Sequence, residues 1–501
     1  MLRPLRVLAG AACGVILLTI APAPASAQQA PSATVTCTSA AGQRTQCAAD
    51  TSAGVALLKS NGTAACLLGK TWGYDQGSVW VSDGCSGEFV TGSAAPPDTS
   101  KVPPPKHVPN VGFLLFDGDK GQIYLRFFTY ARYLNQRDLD DRYVDAFGNS
   151  HAVTRREDIQ LQKFFLPLSG WFLTPKMRYY LYVWSANTSQ GDPAQVVGAG
   201  NISWVFNRFA TLGAGITSLP SVRSTEGQFP YWLGVDDRLI ADEYFRGSYT
   251  SGVWLKGELH TKLKYMAMLA NNLSTLGVSA SQLDNKLATQ SYSLQWLPTT
   301  GEFGPWGGFG DYEGHDQLAT RVGVHFTHSL EDRQSQPGTD GIENTQLRLA
   351  DGSIIFTPNL FGQGVTINSA DYNMSSVDAG VKYKGLSLEG EYYWRWLRNY
   401  SGVNTGAVPD IDDHGYQMQA SAMPIARLLQ AYGGWSQIFG GRYGDDWEVR
   451  GGANYFPMKQ RGIRFNAEWM YVDRSPVGYT AYPYAVGAKG PVFHLNFEMN
   501  F

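Results

Sequence analysis

Phe493-His-Leu-Asn-Phe-Glu-Met-Asn-Phe501 ends the chain with a strict alternation of apolar and polar side chains. On a strand, residues i and i+2 share a face. Phe493, Leu495, Phe497, Met499 and Phe501 therefore line one side, and His494, Asn496, Glu498 and Asn500 the other. The same alternation recurs upstream, in runs of about ten residues. Ile123, Leu125, Phe127, Thr129 and Ala131 oppose Tyr124, Arg126, Phe128, Tyr130 and Arg132. Val377, Ala379, Val381 and Tyr383 oppose Asp378, Lys382 and Lys384. Leu386, Leu388, Gly390, Tyr392, Trp394 and Trp396 oppose Ser387, Glu389, Glu391, Tyr393 and Arg395. Trp447, Val449, Gly451, Ala453 and Tyr455 oppose Glu448, Arg450 and Asn454. After a turn, Ile463, Phe465, Ala467, Trp469 and Tyr471 oppose Arg464, Asn466 and Glu468.

A soluble antiparallel sheet also alternates, with its apolar face inside. Three features point the other way: the strands are long, Gly390, Gly451, Ala453 and Ala467 sit on the apolar face, and Trp and Tyr gather at its margins. A membrane barrel turns the apolar face to lipid and the polar face to a lumen, and closure removes every unpaired edge. The expected fold is all-β, a transmembrane antiparallel barrel of about sixteen strands over residues 111–501, with roughly 24 residues per strand and connection. Asn344 to Pro358 is expected to be an extra hairpin within an exposed loop. A barrel of that girth leaves an aqueous channel.

Composition agrees. With 43% hydrophobic and only 17% charged residues, the chain is neither disordered nor a coiled coil. A net charge of -3 supplies no basic field for a nucleic-acid partner. Beyond the leader no run of about 18 apolar residues occurs, which excludes a helical span.

Residues 1–27 carry Arg3 and Arg6, an apolar run from Val7 to Ile20, and Ala25-Ser26-Ala27, the pattern of an export signal cut before Gln28. Cys37, Cys47, Cys66 and Cys85 follow within residues 28–92, and no cysteine comes later. In an exported segment this even set predicts two disulfides, with connectivity left open. A metal site is the alternative, disfavoured because no C-x2-C pair is present. Residues 93–110, with six prolines from Pro96 to Pro109, form an extended linker.

Cys66-Leu-Leu-Gly-Lys-Thr-Trp72-Gly-Tyr-Asp75 and Trp80-Val-Ser-Asp-Gly84-Cys85 resemble the exported DUF3011 family, a likeness that carries a fold expectation and no activity. Trp72 and Trp80 can stack on a cell-wall sugar, though packing beside a disulfide is the simpler role. The stretch from Gly112 to Phe501 resembles bacterial outer-membrane porins, most of all the phosphate-selective porin O and P family. The likeness is carried by Tyr249-Thr-Ser-Gly-Val-Trp-Leu-Lys-Gly-Glu258, Leu263-Lys-Tyr-Met-Ala-Met-Leu-Ala-Asn-Asn272, the hairpin Gly452–Phe456 to Arg464–Glu468, and the Phe501 terminus. It implies a sixteen-stranded, homotrimeric channel in outer-membrane lipid. Phe501 resembles the tag read by the barrel assembly machinery.

The expected lumen face carries Arg126, Arg132, Lys256, Lys264, Lys382, Lys384, Arg395, Arg450 and Arg464, against Glu258, Asp378, Glu389, Glu391, Glu448 and Glu468. This slight basic excess favours anions, unless the charges merely bridge one another. Ser221 to Arg246 is the candidate for a loop folded into the channel, with Arg223, Asp236, Asp237 and Arg238 at the constriction. It holds no lysine, a departure from the constriction expected of phosphate-selective members, and its acidic pairs can repel anions or pair with nearby arginines. No enzyme is expected. G-x-S-x-G is missing, Asp412-Asp413-His414 falls in a predicted loop, and His325 and His328 sit three apart, on opposite faces of a strand. Neither metal nor cofactor is called for. Two functions are open: a passive diffusion channel with a periplasmic accessory module, or an anchoring protein whose module binds peptidoglycan while the channel is incidental or plugged.

Overall fold

The computed structural model describes residues 33–51, 55–62, 64–75, 77–91, 107–186, 195–226, 232–275, 286–304, 308–332, 347–478 and 482–501. The export signal and most of the proline-rich linker lie outside them. The chain falls into two compact units, Met1–Pro104 and Pro105–Phe501.

The first unit holds two small antiparallel sheets. Ser86–Thr91 runs between Ala33–Thr38 and Val55–Ser60, and Ser78–Ser82 runs between Arg44–Ala48 and Trp72–Asp75. Its core is slight: Val55, Trp72, Val79, Val81 and Phe89, with the Trp72 and Phe89 rings 4.9 Å apart. A core of that size stabilises little by itself. Disulfides Cys37–Cys47 and Cys66–Cys85 supply the rest and settle the connectivity. Trp72 is buried. The Trp80 ring lies against Gly73, where a Cβ would come within 2.5 Å of it, and the Arg44 guanidinium is 4.0 Å from its centroid. Both tryptophans are thus engaged within the module.

The second unit is a closed barrel of sixteen antiparallel strands, each paired with its neighbour in sequence. The first strand is broken into Gly121–Leu125 and Phe128–Asn135, and the last is Gly490–Asn500. These two close the ring in unbroken register from Phe128↔Asn500 to Asn135↔Phe493. At the break, Phe127 and Phe501 exchange backbone hydrogen bonds of 2.8 and 2.9 Å.

The faces are inverted relative to a soluble sheet. Phe493 and Leu495 are 37% and 44% exposed, while His494 and Asn496, which alternate with them, are 0% and 3%. The same holds for exposed Val377, Val381, Leu388 and Trp469 beside buried Asp378, Lys382, Glu389 and Glu468. Outward-facing aromatics stack near one rim, with ring centroids 5.1 Å apart for Trp435–Trp447 and 5.5 Å for Trp447–Tyr471. An oily outer band edged by aromatics suits a bilayer.

One end of the barrel carries mostly tight connections, residues 297–318 excepted, and the other longer ones. Part of the long connections does not stay outside. Residues 218–225 and 233–248 are buried throughout, and Ile240–Phe245 form a short helix within the barrel. In the described part of Asn344–Pro358 Arg348 is bridged to Ile354 as in a hairpin, but the expected exposure is corrected here. Leu347 and Leu349 are buried with Tyr482, Tyr484 and Tyr443 in one apolar cluster, and Leu349 and Ser353 make a tight turn. Burial of these leucines beneath neighbouring loops outweighs exposure.

Candidate channel lining and the inserted segment

The inserted segment is held to the wall by charge. Arg223 pairs with Glu389 at 2.8 Å. Asp236 receives Lys163 at 2.6 Å and the Tyr130 hydroxyl at 2.8 Å. Asp237 meets Arg450 at 2.9 Å. Arg238 turns back along its own segment to Glu243 at 3.5 Å, its guanidinium 4.0 Å from the Trp232 ring. Burial pushes the Asp242 carboxyl up, against the pull of Arg238 and the Ser224 hydroxyl. All four residues expected at the constriction lie inside the barrel, in ion pairs.

The wall charges fall into three groups. Arg395 bonds Asp413, Arg464 pairs with Glu498, Lys382 lies 3.8 Å from Glu389, and Arg450 reaches Glu448 at 2.9 Å and Glu468 at 3.3 Å. Glu391 accepts from Ser376, Tyr393 and the Arg223 backbone. In a second group Arg126 and Arg132 donate to amides, Asn500 and Asn496, each at 2.8 Å. From Asn496 an amide chain runs around the wall through Asn466 (2.8 Å), Asn454 (2.9 Å) and Gln430 (2.9 Å), and Asn454 also holds the Leu233 carbonyl of the inserted segment. Each amide's donor meets the next one's acceptor, which satisfies buried polar groups across strands.

The third group faces space. A cavity of about 710 Å³ toward the tight-turn end is lined by Tyr124, Trp171, Arg178, Tyr180, Asn201, Lys256, Lys264 and Glu302 among others. A smaller adjoining space of about 310 Å³ adds Glu258 and Met266. Arg178 and Lys256 are exposed and Lys264 half-buried, and none of the three belongs to an ion pair among the described residues. Glu258 is the cross-strand neighbour of Lys264, and Glu226, which also lines both spaces, is bound by Arg321 at 2.6 Å.

Two sequence expectations are corrected. Lys384 does not sit on the wall: it occupies the tight turn after Thr366–Tyr383 with a φ of 47°, exposed, its ammonium 5.1 Å from the Tyr383 ring. A two-residue turn demands such angles, which ends the alternation one residue early. Asp412-Asp413-His414 lies in the strand Ile411–Ile425 and not in a loop. Asp413 points inward to Arg395, Asp412 outward to Arg398 at 2.9 Å, and His414 bonds the Tyr392 hydroxyl at 2.6 Å.

Other lumen groups escaped the sequence. Lys163 did so because a bulge opposite Tyr130/Ala131 turns both Gln162 and Lys163 inward. Arg178 is masked because the inner face of Thr174–Ala186 is itself aromatic, with Tyr180, Tyr182 and Trp184 opposite Leu181 and Val183. Arg321 and His325 obey the alternation in Ala319–Asp332 and were within its reach.

Two buried clusters bring three metal-type ligands within 4.8 Å: Glu226, His325 and Asp378, and Asp237, Glu468 and His494. In each an arginine already lies among the carboxylates: Arg321 bonds Asp378 at 2.5 Å, and Arg450 bonds Asp237. His494 Nδ1 accepts from Asn496 at 2.8 Å, so its proton sits on Nε2, toward Glu468 at 3.1 Å. Guanidinium and imidazole protons fill the place a cation would need.

Residues 19–106 match a family described as "Protein of unknown function (DUF3011)". No curated protein matches the chain. Solved structures with a similar course include the anion-selective porin of Comamonas acidovorans, at 10% identity over 76% of this chain and 100% of that one, with a TM-score of 0.47. OmpT of Vibrio cholerae follows at 13% identity over 77% and 99%, TM-score 0.46. The channel DcaP of Acinetobacter baumannii stands at 9% identity over 77% and 99%, TM-score 0.46. Likenesses at this level carry no inference about solute or mechanism, and the barrel itself is established by its closed register.

Proposed function

We propose that residues 111–501 form an outer-membrane porin through which small hydrophilic solutes diffuse passively, with a mild preference for anions. The supporting observation is the state of the charges. Most cations on the wall and the inserted segment are paired with buried carboxylates, whereas those facing the open space of about 710 Å³, Arg178, Lys256 and Lys264, are not in ion pairs among the described residues. Fixed charge that stays uncompensated in a low-dielectric ring sets the local potential and raises the concentration of counter-ions there. Kinship with phosphate-selective porins, a homotrimer, insertion by the barrel assembly machinery and a periplasmic place for the cysteine module belong to the same proposal.

Reconstitution in planar bilayers tests it. Steady single-channel steps are expected, with a reversal potential in a potassium chloride gradient displaced toward the chloride equilibrium value. A clear displacement toward potassium would refute the anion preference. The second reading, an anchoring protein with a plugged lumen, draws support from the buried long connections. It requires a silent protein that cosediments with peptidoglycan.

A further inference from the structure

At the tight-turn end, connections such as residues 208–209, 261–262 and 384–385 span a pair of residues, whereas the connection after Thr289–Trp296 runs over residues 297–318. Its described part bends into the lumen, where Phe303, Phe309, Asp311 and Tyr312 are buried. The wall seizes it by backbone. The Lys382 ammonium donates to the Phe303 carbonyl at 2.9 Å and the Gly308 carbonyl at 2.6 Å, and lies 4.3 Å from the Phe303 ring. Glu389 accepts the Gly310 N–H at 2.9 Å, and Asp311 accepts the Gly385 N–H at 2.7 Å.

From the opposite end comes Arg223 of the inserted segment. It donates to the Gly308 carbonyl at 3.2 Å and to Glu389 at 2.8 Å, and its guanidinium is 4.6 Å from the Phe309 ring. Two segments that enter the barrel from opposite ends therefore meet on one carboxylate, Glu389, beside one buried ammonium, Lys382. Burying a lysine and a glutamate inside a barrel costs free energy that a two-residue turn would never incur. Joining two adjacent strands does not need it.

We propose that residues 297–304 and 308–318 are a second constriction element, and that Lys382 and Glu389, by clamping it to the inserted segment, help decide which solutes pass. The inference rests on the channel reading. The cavity that holds Lys256 and Lys264 is bounded on this side by Glu302, Phe303 and Gly304, so a solute crossing it meets both the free cations and this segment.

The test uses the full chain in planar bilayers, with conductance and the size cut-off for neutral polyethylene glycols as readouts. One variant replaces residues 300–316 by a short Gly-Ser connection, and a second carries Lys382→Met. A folded barrel is verified for each by its β-rich circular dichroism in detergent. Both variants should conduct about twofold more than the parent and admit larger polymers. A folded shortened variant with parental conductance and cut-off would overturn the inference while leaving the channel reading intact. If the parent is silent and the shortened variant conducts, the second constriction stands and passive diffusion through the native protein falls. Silence from both overturns the two together.

Discussion

Arg178, Lys256 and Lys264 look into the same wet space without a carboxylate partner, so replacing them should change the field and not the fold. The triple change to glutamine is expected to halve the anion-to-cation permeability ratio, roughly, while stability moves by about 0.5 kcal/mol or less per site. Reversal potentials and a thermal melt check the two halves of that statement. Arg450 should behave oppositely. It pairs with Asp237, Glu448 and Glu468 inside the barrel, and Arg450→Met leaves three carboxylates facing one another. A loss of about 3–5 kcal/mol is expected, seen as a lowered urea midpoint in detergent. Arg450 was legible from sequence because Glu448, Arg450 and Asn454 keep step with the alternation. Its partner Asp237 was expected in the candidate channel loop. The pairing between them was not legible, since no local pattern relates residues 213 apart.

At the level of elements, the segment 297–318 contains its own acid-sensitive contact. Burial pushes the Glu302 carboxyl up, but the Gly304 N–H, His315 and Lys382 outweigh it and hold the group below its ordinary value. Asp311 faces the same histidine, through His315 Nδ1. A depressed carboxylate stabilises the folded arrangement above its unfolded pKa of about 4.3, and that contribution disappears as pH falls through the folded value. Conductance should therefore rise on acidification below about pH 4, and Glu302→Gln should flatten the rise. The same measurement on a variant with residues 300–316 shortened should show no such rise. Nothing in the sequence marked this segment as an insertion into the lumen. Its Gly- and Pro-rich stretch resembles any surface loop, and only the meeting with Lys382 and Glu389 reveals its course. The cysteine module makes a second element-scale prediction. Cys37→Ser with Cys47→Ser should cost that unit about 2–5 kcal/mol, detected as faster proteolysis of residues 33–91, with the barrel's thermal midpoint unchanged.

For the molecule as a whole, the inverted faces predict dependence on detergent. Phe465, Trp469, Leu495 and their neighbours are exposed on the outside, so dilution below the critical micelle concentration should bring rapid aggregation, followed by light scattering. The sixteen-stranded ring was legible because lipid on one side and polar groups on the other enforce a period of two over almost every strand. The inward course of the connection after Thr289–Trp296 was not, because such a segment is shaped by the walls it meets and carries no period of its own.

The seam has a consequence for biogenesis. Arg126 bonds Asn500 across 374 residues of chain, and Phe127 exchanges its backbone bonds with Phe501. The ring cannot shut until the strand Gly490–Asn500 has left the ribosome, so a message truncated before it leaves two raw margins with no partner, a ready target for quality-control proteolysis.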